Sequence, residues 1–450
     1  MNKILARFGF LYQYIVSSIG FLPTVISVFF SLLAFFLLYL ERHGLSERLL
    51  DNLPFMIITR GSTANMILST ISTGIISLTV FSFSMLMIVL SQATANFTPR
   101  VIPGIITRKS NQVVLGLYLG TLIYTLIIMV NIRSESYSES LPGFAIFLAM
   151  CLAIVCLAFF VYFIQGISQN IQIETLMEDI YEQAAASLKR EIEEDTKAQL
   201  ETIVAHGTWY PILSPQTGYL QSIDTQAVTR LCRKHNLVLD FVQPLGNFVL
   251  QGVPFARVNR PLPDSVAWVK ELQAHLNFYR EERSDLNYFF GIKHLTESAS
   301  KALSPGINDP GTAKKAIDYL SALLALRMQL TDEKVICDEN GEARLRFAKD
   351  KFDEILHQTL APIRLYGKSS STIVVQLLQL MRSLLYQVEA YPHLLPVLQR
   401  QAMLILFDAD QEVCNPGDRE KINESVKTLN QLEVLPEPLP HLKAPSLILA

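Results

Sequence analysis

From Met66 to Arg100 the chain reads MILSTISTGIISLTVFSFSMLMIVLSQATANFTPR, with no charged side chain before Arg100. The hydrocarbon core of a bilayer takes roughly 20 residues of helix, so this stretch crosses with turns to spare. It is not uniformly apolar. At 100° per residue Thr70, Thr73, Gly74, Ser77, Phe81, Ser84, Ile88, Ser91 and Gln92 share one face, and Thr70, Ser77, Ser84 and Ser91 recur every seven residues. Lipid offers a hydroxyl no partner, so such a stripe calls for a second helix or for water. Two readings stay open: tight packing inside one bundle, or a pore lined by Thr70, Ser77, Ser84 and Ser91.

Composition narrows the class. Charged residues make up 18% of the 450, below the roughly 25% of ordinary globular domains, and mean hydropathy is +0.29. The first 170 residues carry that bias, and the remainder reads as an ordinary globular sequence. A net charge of −3 supplies no basic field for nucleic acid, so no nucleic-acid partner is expected. The five cysteines (151, 156, 232, 337 and 414) form no CxxC pair and no Cys/His cluster, which argues against a disulfide framework or a zinc site. They read as reduced structural thiols. The eight histidines form no HExxH spacing, and GxSxG, Walker and GxGxxG patterns are missing. No catalytic residue, metal or cofactor is therefore expected, and the chain is read as a protein other than an enzyme.

Residues 1–166 are expected to form a four-span transmembrane domain, with spans at about 20–40, 67–95, 113–130 and 143–166. Lys3 and Arg7 precede an apolar run without a small-residue cleavage site, so the first span reads as uncleaved, with Pro23 marking a bend. Pro99 and Pro103 close the second span. Gly116 and Gly120 make a GxxxG pair in the third, the helix-packing candidates, beside the Ser/Thr-rich second span. No span core contains Lys, Arg, Asp, Glu or His, which disfavours an ion-coupled transporter. A pore through an oligomer needs only hydroxyls and backbone dipoles. Four spans put both termini on one side. Lys3, Arg7, Arg100, Arg108 and Lys109 against Arg42, Arg48, Arg60 and Arg133, together with the thiols, assign that side to the cytoplasm.

Residues 167–206 read as a helical stalk with an apolar seam at Ile171, Ile173, Leu176, Ile180 and Ala184, suited to a neighbouring subunit or the next domain. Residues 207–260 read as a small β-rich module around one helix capped by Asp224. Gly246, Val249, Gly252 and Phe255, with Gly218-Tyr219, resemble the hammerhead of biotinyl and lipoyl carriers. Those carriers need a lysine at the hairpin, and none lies between Lys234 and Lys270, so a purely structural barrel is expected. Residues 261–432 should be α-rich, with a hairpin turning at Asn340-Gly341. Residues 433–450 read as a flexible tail. Glu193, Glu194 and Asp195 read as a solvated helix face.

The most distinctive stretch outside the spans is ALSPGINDPGTA, residues 302–313. As structure, it is a helix ending near Leu303 and another opened by Asp309 or Thr312 with Pro310 near its first position. As function, Ser304, Asn308, Asp309 and Thr312 gather oxygens that could hold a ligand or partner loop, with Arg280, Arg283 and Asp285 upstream as further candidates. This motif, the Ser/Thr span followed by FTPR (97–100), LGxYxGTxxY (115–124) and GYLQSID (218–224) together resemble the bacterial inner-membrane family catalogued as domain of unknown function 2254. The resemblance covers roughly residues 20–430. It implies a four-span membrane part and a cytoplasmic domain, and carries over no activity and no catalytic residue.

The expected fold is an α-helical integral membrane protein. A four-helix transmembrane bundle is joined to a mixed α/β, mostly helical cytoplasmic domain containing a small hammerhead-like β module. The expected function is an oligomeric channel-like protein of the bacterial inner membrane with a cytoplasmic gating domain. The alternative is a membrane-anchored sensor or scaffold that binds through SPGINDPGT. The expected partners are the lipid bilayer, further copies of the chain, and a small ion or a cytoplasmic ligand.

Overall fold

The computed structural model describes residues 20–41, 43, 60–96, 109–132, 141–170, 173–197, 208–262, 265–279 and 287–443. Expectations resting on Lys3, Arg7, Arg42, Arg48, Arg100, Arg108, Arg133, Ile171, Arg280, Arg283, Asp285 and the FTPR segment lie outside the described residues. Two compact units divide the chain, Met1–Gln172 and Ile173–Ala450.

Among its described residues the N-terminal unit has four helices: α1 (Phe21–Glu41), α2 (Gly61–Asn96), α3 (Lys109–Val130) and α4 (Gly143–Asn170). All four are long and apolar enough to cross a membrane. Helix α3 is the central one, with 44% of its spanning window buried against 22% in each of the others. Its glycine pair makes room for α1 rather than α2. A Cβ at Gly116 would lie 2.7 Å from Ile26 Cδ1 and 3.0 Å from Pro23 Cα, and one at Gly120 would lie 3.0 Å from the Phe30 ring. Pro23 sits in the first turn of α1, where a missing N–H forfeits no helical bond. At the opposite end of α1, Glu41 Oε1 accepts from the amides of Phe144 (3.0 Å) and Ala145 (3.2 Å), a carboxylate on the positive end of α4. Tyr124 of α3 donates to the Ala145 carbonyl at 2.9 Å.

The C-terminal unit begins with α5 (Ile173–Lys197). Met177, Ile180, Ala184 and Leu188 are buried at helical spacing, and α5 packs on α8 (Tyr288–Ala302) and α9 (Pro310–Arg327). The apolar seam is therefore filled from within the same unit, which makes 173–197 part of its core. At the tightest approach, a Cβ on Gly291 would lie 2.4 Å from Ala184 Cβ.

Strands β1 (Tyr210–Leu213), β2 (Gly218–Ile223), β3 (Leu239–Phe241), β4 (Phe248–Val249), β5 (Pro254–Val258), β6 (Leu276–Tyr279), β7 (Glu333–Cys337) and β8 (Ala343–Ala348) form two open sheets. Their orders are β1-β5-β3-β8-β7 and β4-β2-β6. Between β2 and β3 runs α6 (Thr225–Lys234), capped by Asp224, which accepts from the Ala227 amide at 3.0 Å; α7 (Ser265–Gln273) precedes β6. A self-contained barrel over 207–260 is not formed. All three residues of β3 are buried, so the strand needs a partner along both edges, and β8, about a hundred residues on, supplies the second by parallel pairing. The Asn340-Gly341 hairpin joins β7 to β8, with Gly341 at φ 82°. Phe241 stacks on Phe347 with centroids 4.8 Å apart in a core shared by Phe255 and Trp268.

Four further helices follow, α10 (Phe352–Gly367), α11 (Ser371–Leu385), α12 (Leu395–Glu412) and α13 (Pro416–Asn430). The expected flexible tail is, through Lys443, a strap on α13. Asn430 accepts from the Leu439 amide (2.8 Å) and donates to its carbonyl (3.0 Å). Asn423, two turns back, holds both backbone groups of Leu442 in the same way (2.8 and 3.2 Å). Leu439 and Leu442 are buried beneath. A proline-rich segment lacks internal hydrogen bonds, and the two carboxamides provide them from outside.

Gly291→Ala is expected to destabilise the protein. Helix propensity favours Ala by about 1 kcal/mol, but the new methyl meets a Cβ rather than a flexible chain end, and overpacking of this kind costs about 1–3 kcal/mol. The melting temperature of the purified protein should fall, and Ala184→Gly in the same chain should recover most of the loss. Asn430→Ala should open the strap to limited proteolysis between 433 and 443 while α10–α12 stay protected.

Candidate functional site

Helix α2 has two hydroxyl-bearing faces. Leu68, Ile75, Ser82 and Val89, seven residues apart, are buried, together with Ser72 and Leu86. The stripe of Thr70, Ser77, Ser84 and Ser91 is offset from them by two residues, about 200° around the helix, so it points away from the bundle. Thr70, Thr73, Gly74, Ser77, Phe81, Ser84, Ile88 and Ser91 are all exposed, and a Cβ on Gly74 would meet nothing within 4 Å. Thr70 donates to the Met66 carbonyl (2.8 Å) and Ser77 to that of Thr73 (3.0 Å), the back-bonding open to a hydroxyl on a bare helix face. The stripe is thus exposed along its length, and on the same face Phe81 meets the Phe160 ring of α4 edge-on at 5.6 Å.

Other hydroxyls perform that packing. Ser72 Oγ lies 3.1 Å from Thr125 Oγ1, and Cys156 of α4 donates to Thr121 Oγ1 at 3.5 Å. Ser82, Thr121 and Thr125 are fully buried. Sequence reasoning passed over this seam, although Ser82 shares a heptad position with Leu68 and Ile75, and Thr121 and Thr125 stand one turn apart.

In the C-terminal unit a cleft of about 260 Å³ lies between α5 and the end of the larger sheet, with Tyr288 and Asp350 in its lining. Its walls are joined by ion pairs: Lys334 to Glu194 at 2.5 Å, and Lys349 to Asp195 at 2.6 Å and Glu191 at 3.2 Å. Of the acidic run, Glu194 is thus paired with Lys334 of β7 and Asp195 with Lys349 just past β8, while Glu193 is exposed. Arg327, 0% exposed, donates to the carbonyls of Leu330 (3.0 Å) and Asp350 (2.6 Å) and to Asp332 (2.9 Å). Burial pushes the Asp350 carboxyl above its ordinary range and the Tyr288 phenol likewise upward. Nothing local in the sequence signals this cleft, because the pairs join residues 140 and 154 positions apart. Among the described residues no group of three His, Cys, Asp or Glu is placed to hold a metal.

The turn at 302–313 is built by capping. Helix α8 ends at Ala302 with Leu303 as its cap, and α9 opens with Asp309 as N-cap and Pro310 at the first position. Asp309 accepts from the Thr312 amide (3.1 Å) and hydroxyl (2.5 Å), and Ser304 donates to the Lys301 carbonyl (2.7 Å). Asn308, at φ 49°, reverses the chain and is exposed at the tip. Three of the four candidates, Ser304, Asp309 and Thr312, bond within the turn.

The sequence matches the family described as "Predicted membrane protein (DUF2254)" over residues 16–383. Uncharacterised proteins of Mycobacterium bovis and of Mycobacterium tuberculosis strain H37Rv are each 28% identical over 388 residues, covering 84% of this chain and 74% of theirs. No solved structure matches the chain. The family match takes in the four spans, the cleft and the 302–313 turn, and stops short of α12, α13 and the strap.

The Thr312 hydroxyl, then its amide, hold the Asp309 carboxyl below the usual range. A carboxylate with a depressed folded-state pKa contributes its stability above the ordinary carboxylate range and loses it as pH falls through the folded value. Asp309→Ala should therefore lower stability by about 1 kcal/mol at neutral pH. The gap between wild type and variant should close in acid, read from melts of both proteins at a series of pH values.

Proposed function

The chain belongs to the membrane-protein family DUF2254, and on that premise we propose that it is an oligomeric, channel-like protein of the bacterial inner membrane. In this reading both termini and the C-terminal unit are cytoplasmic, the C-terminal unit gates, and no reaction, metal or cofactor is involved. The observation that carries it is the outward stripe of α2: Thr70, Ser77, Ser84 and Ser91 repeat every seven residues and are all exposed. Small hydroxyl side chains let helices of further copies approach closely, and around an axis they offer water what lipid does not require.

A second reading, a membrane-anchored sensor or scaffold, draws on the tip of the 302–313 turn. There Ile307 and Asn308 are exposed on a frame fixed by capping bonds. It predicts a binding event lost in the double variant Asn308→Ala, Asp309→Ala, with no ion flux at all.

The deciding experiment is ion flux from liposomes containing the purified protein, with oligomeric mass determined on the same sample. The channel reading expects an oligomer that conducts, and a Ser84→Leu variant that assembles normally with flux cut severalfold. Normal flux through well-assembled Ser84→Leu, or a monomeric protein, would overturn it.

A further inference from the structure

We propose that the bundle of each protomer holds internal water in the seam between α2, α3 and α4, at Ser82 and Tyr118. The seam has two levels. At one, hydroxyls satisfy one another: Ser72 with Thr125, Thr125 with the carbonyls of Thr121 (3.0 Å) and Leu122 (2.8 Å), and Cys156 with Thr121. At the other, ten residues or about 15 Å along α2, Ser82 and Tyr118 are wholly buried. Their hydroxyls come within reach of each other, but a mutual bond satisfies only one of the two O–H donors, and neither finds a further partner among the described residues.

Two hydroxyls in that condition need a third party. Clustered with Tyr118 are Ile75, Val89, Val114 and Phe163, whose side chains offer nothing to bond. Lipid could not serve even if it entered. A buried hydroxyl left unmade is unfavourable enough that native interiors fill such places with ordered water. If packing were the only purpose, Phe at 118 and Ala at 82 would fill the same space without the penalty. Each hydroxyl is both donor and acceptor, so a water bonded beside them takes the donor that is left over. The Cys156 thiol, packed beside Tyr118, borders the site and leads on to Thr121 and the satisfied level. The result is a hydrated polar track inside one protomer, separate from any axis between copies. It does not rest on the channel reading, and liposomes without flux would leave it standing.

Cys156 is a built-in reporter, because its S–H exchanges with deuterium only where water reaches it. The full-length protein in lipid bilayers would be transferred to D2O and its S–H stretching band followed by infrared spectroscopy. Subtracting the spectrum of Cys156→Ala isolates this thiol. The expected result is exchange within minutes, slowed by an order of magnitude or more in Tyr118→Phe, which removes one hydroxyl and keeps the ring. Ser82→Ala provides the same comparison from the other side, should Tyr118→Phe fail to assemble. A band that survives for hours in the wild type would overturn the proposal. So would fast exchange that neither variant alters, because the water would then lie elsewhere.

Discussion

Inside a bilayer every polar group has to find its partner within the protein, and the N-terminal unit is arranged around that constraint. Helix α3 lies at the centre because its tyrosines and threonines meet α2 and α4 while its glycines admit α1. The Glu41 carboxylate is tolerable at the end of α1 because two amides of α4 receive it. The glycine pair of α3 lets Pro23, Ile26 and Phe30 come close enough for dispersion contacts to replace the hydrophobic driving force that lipid does not provide. On α2 the same constraint acts twice, through two hydroxyl-bearing faces set two residues out of phase.

The C-terminal unit obeys a different balance, since water can satisfy whatever the protein does not. The seam of α5 buries four apolar side chains, the larger ones contributing about 1.5–3 kcal/mol each. The exposed Lys334–Glu194 pair contributes about 0–1 kcal/mol. Apolar burial therefore holds α5 in place, and the ion pairs fix its rotation and register against the sheet. Arg327 belongs to neither category. It is fully enclosed, and its two terminal nitrogens reach the carbonyls of Leu330 and Asp350 and the Asp332 carboxylate, an arrangement that ties the end of α9 to the segments before β7 and after β8.

How much of this could be read in advance depended on the distance over which each feature acts. The four spans, the Asp224 and Asp309 caps and the Asn340-Gly341 turn are local, set by a few neighbouring residues, and were legible. The heptad on α2 was legible too, but periodicity groups residues on a face without saying which way the face turns. The partner of Gly116 and Gly120 was likewise open, and it is α1. The pairing of β3 with β8 and of Lys349 with Asp195 joins residues more than a hundred apart, where no local pattern exists. The strap past Glu433 is not legible in its own proline-rich composition, because the two asparagines that hold it belong to α13.

The place of α5 in the chain sets an order of assembly. It leaves the ribosome directly behind the fourth span, whereas its packing partners α8 and α9 begin only at Tyr288. At about 5–20 residues per second, the roughly ninety residues between take on the order of ten seconds to synthesise. For that interval Met177, Ile180, Ala184 and Leu188 form an uncovered apolar strip tethered beside a membrane. Nascent chains at that stage are the ones most exposed to mispairing, with lipid or with each other.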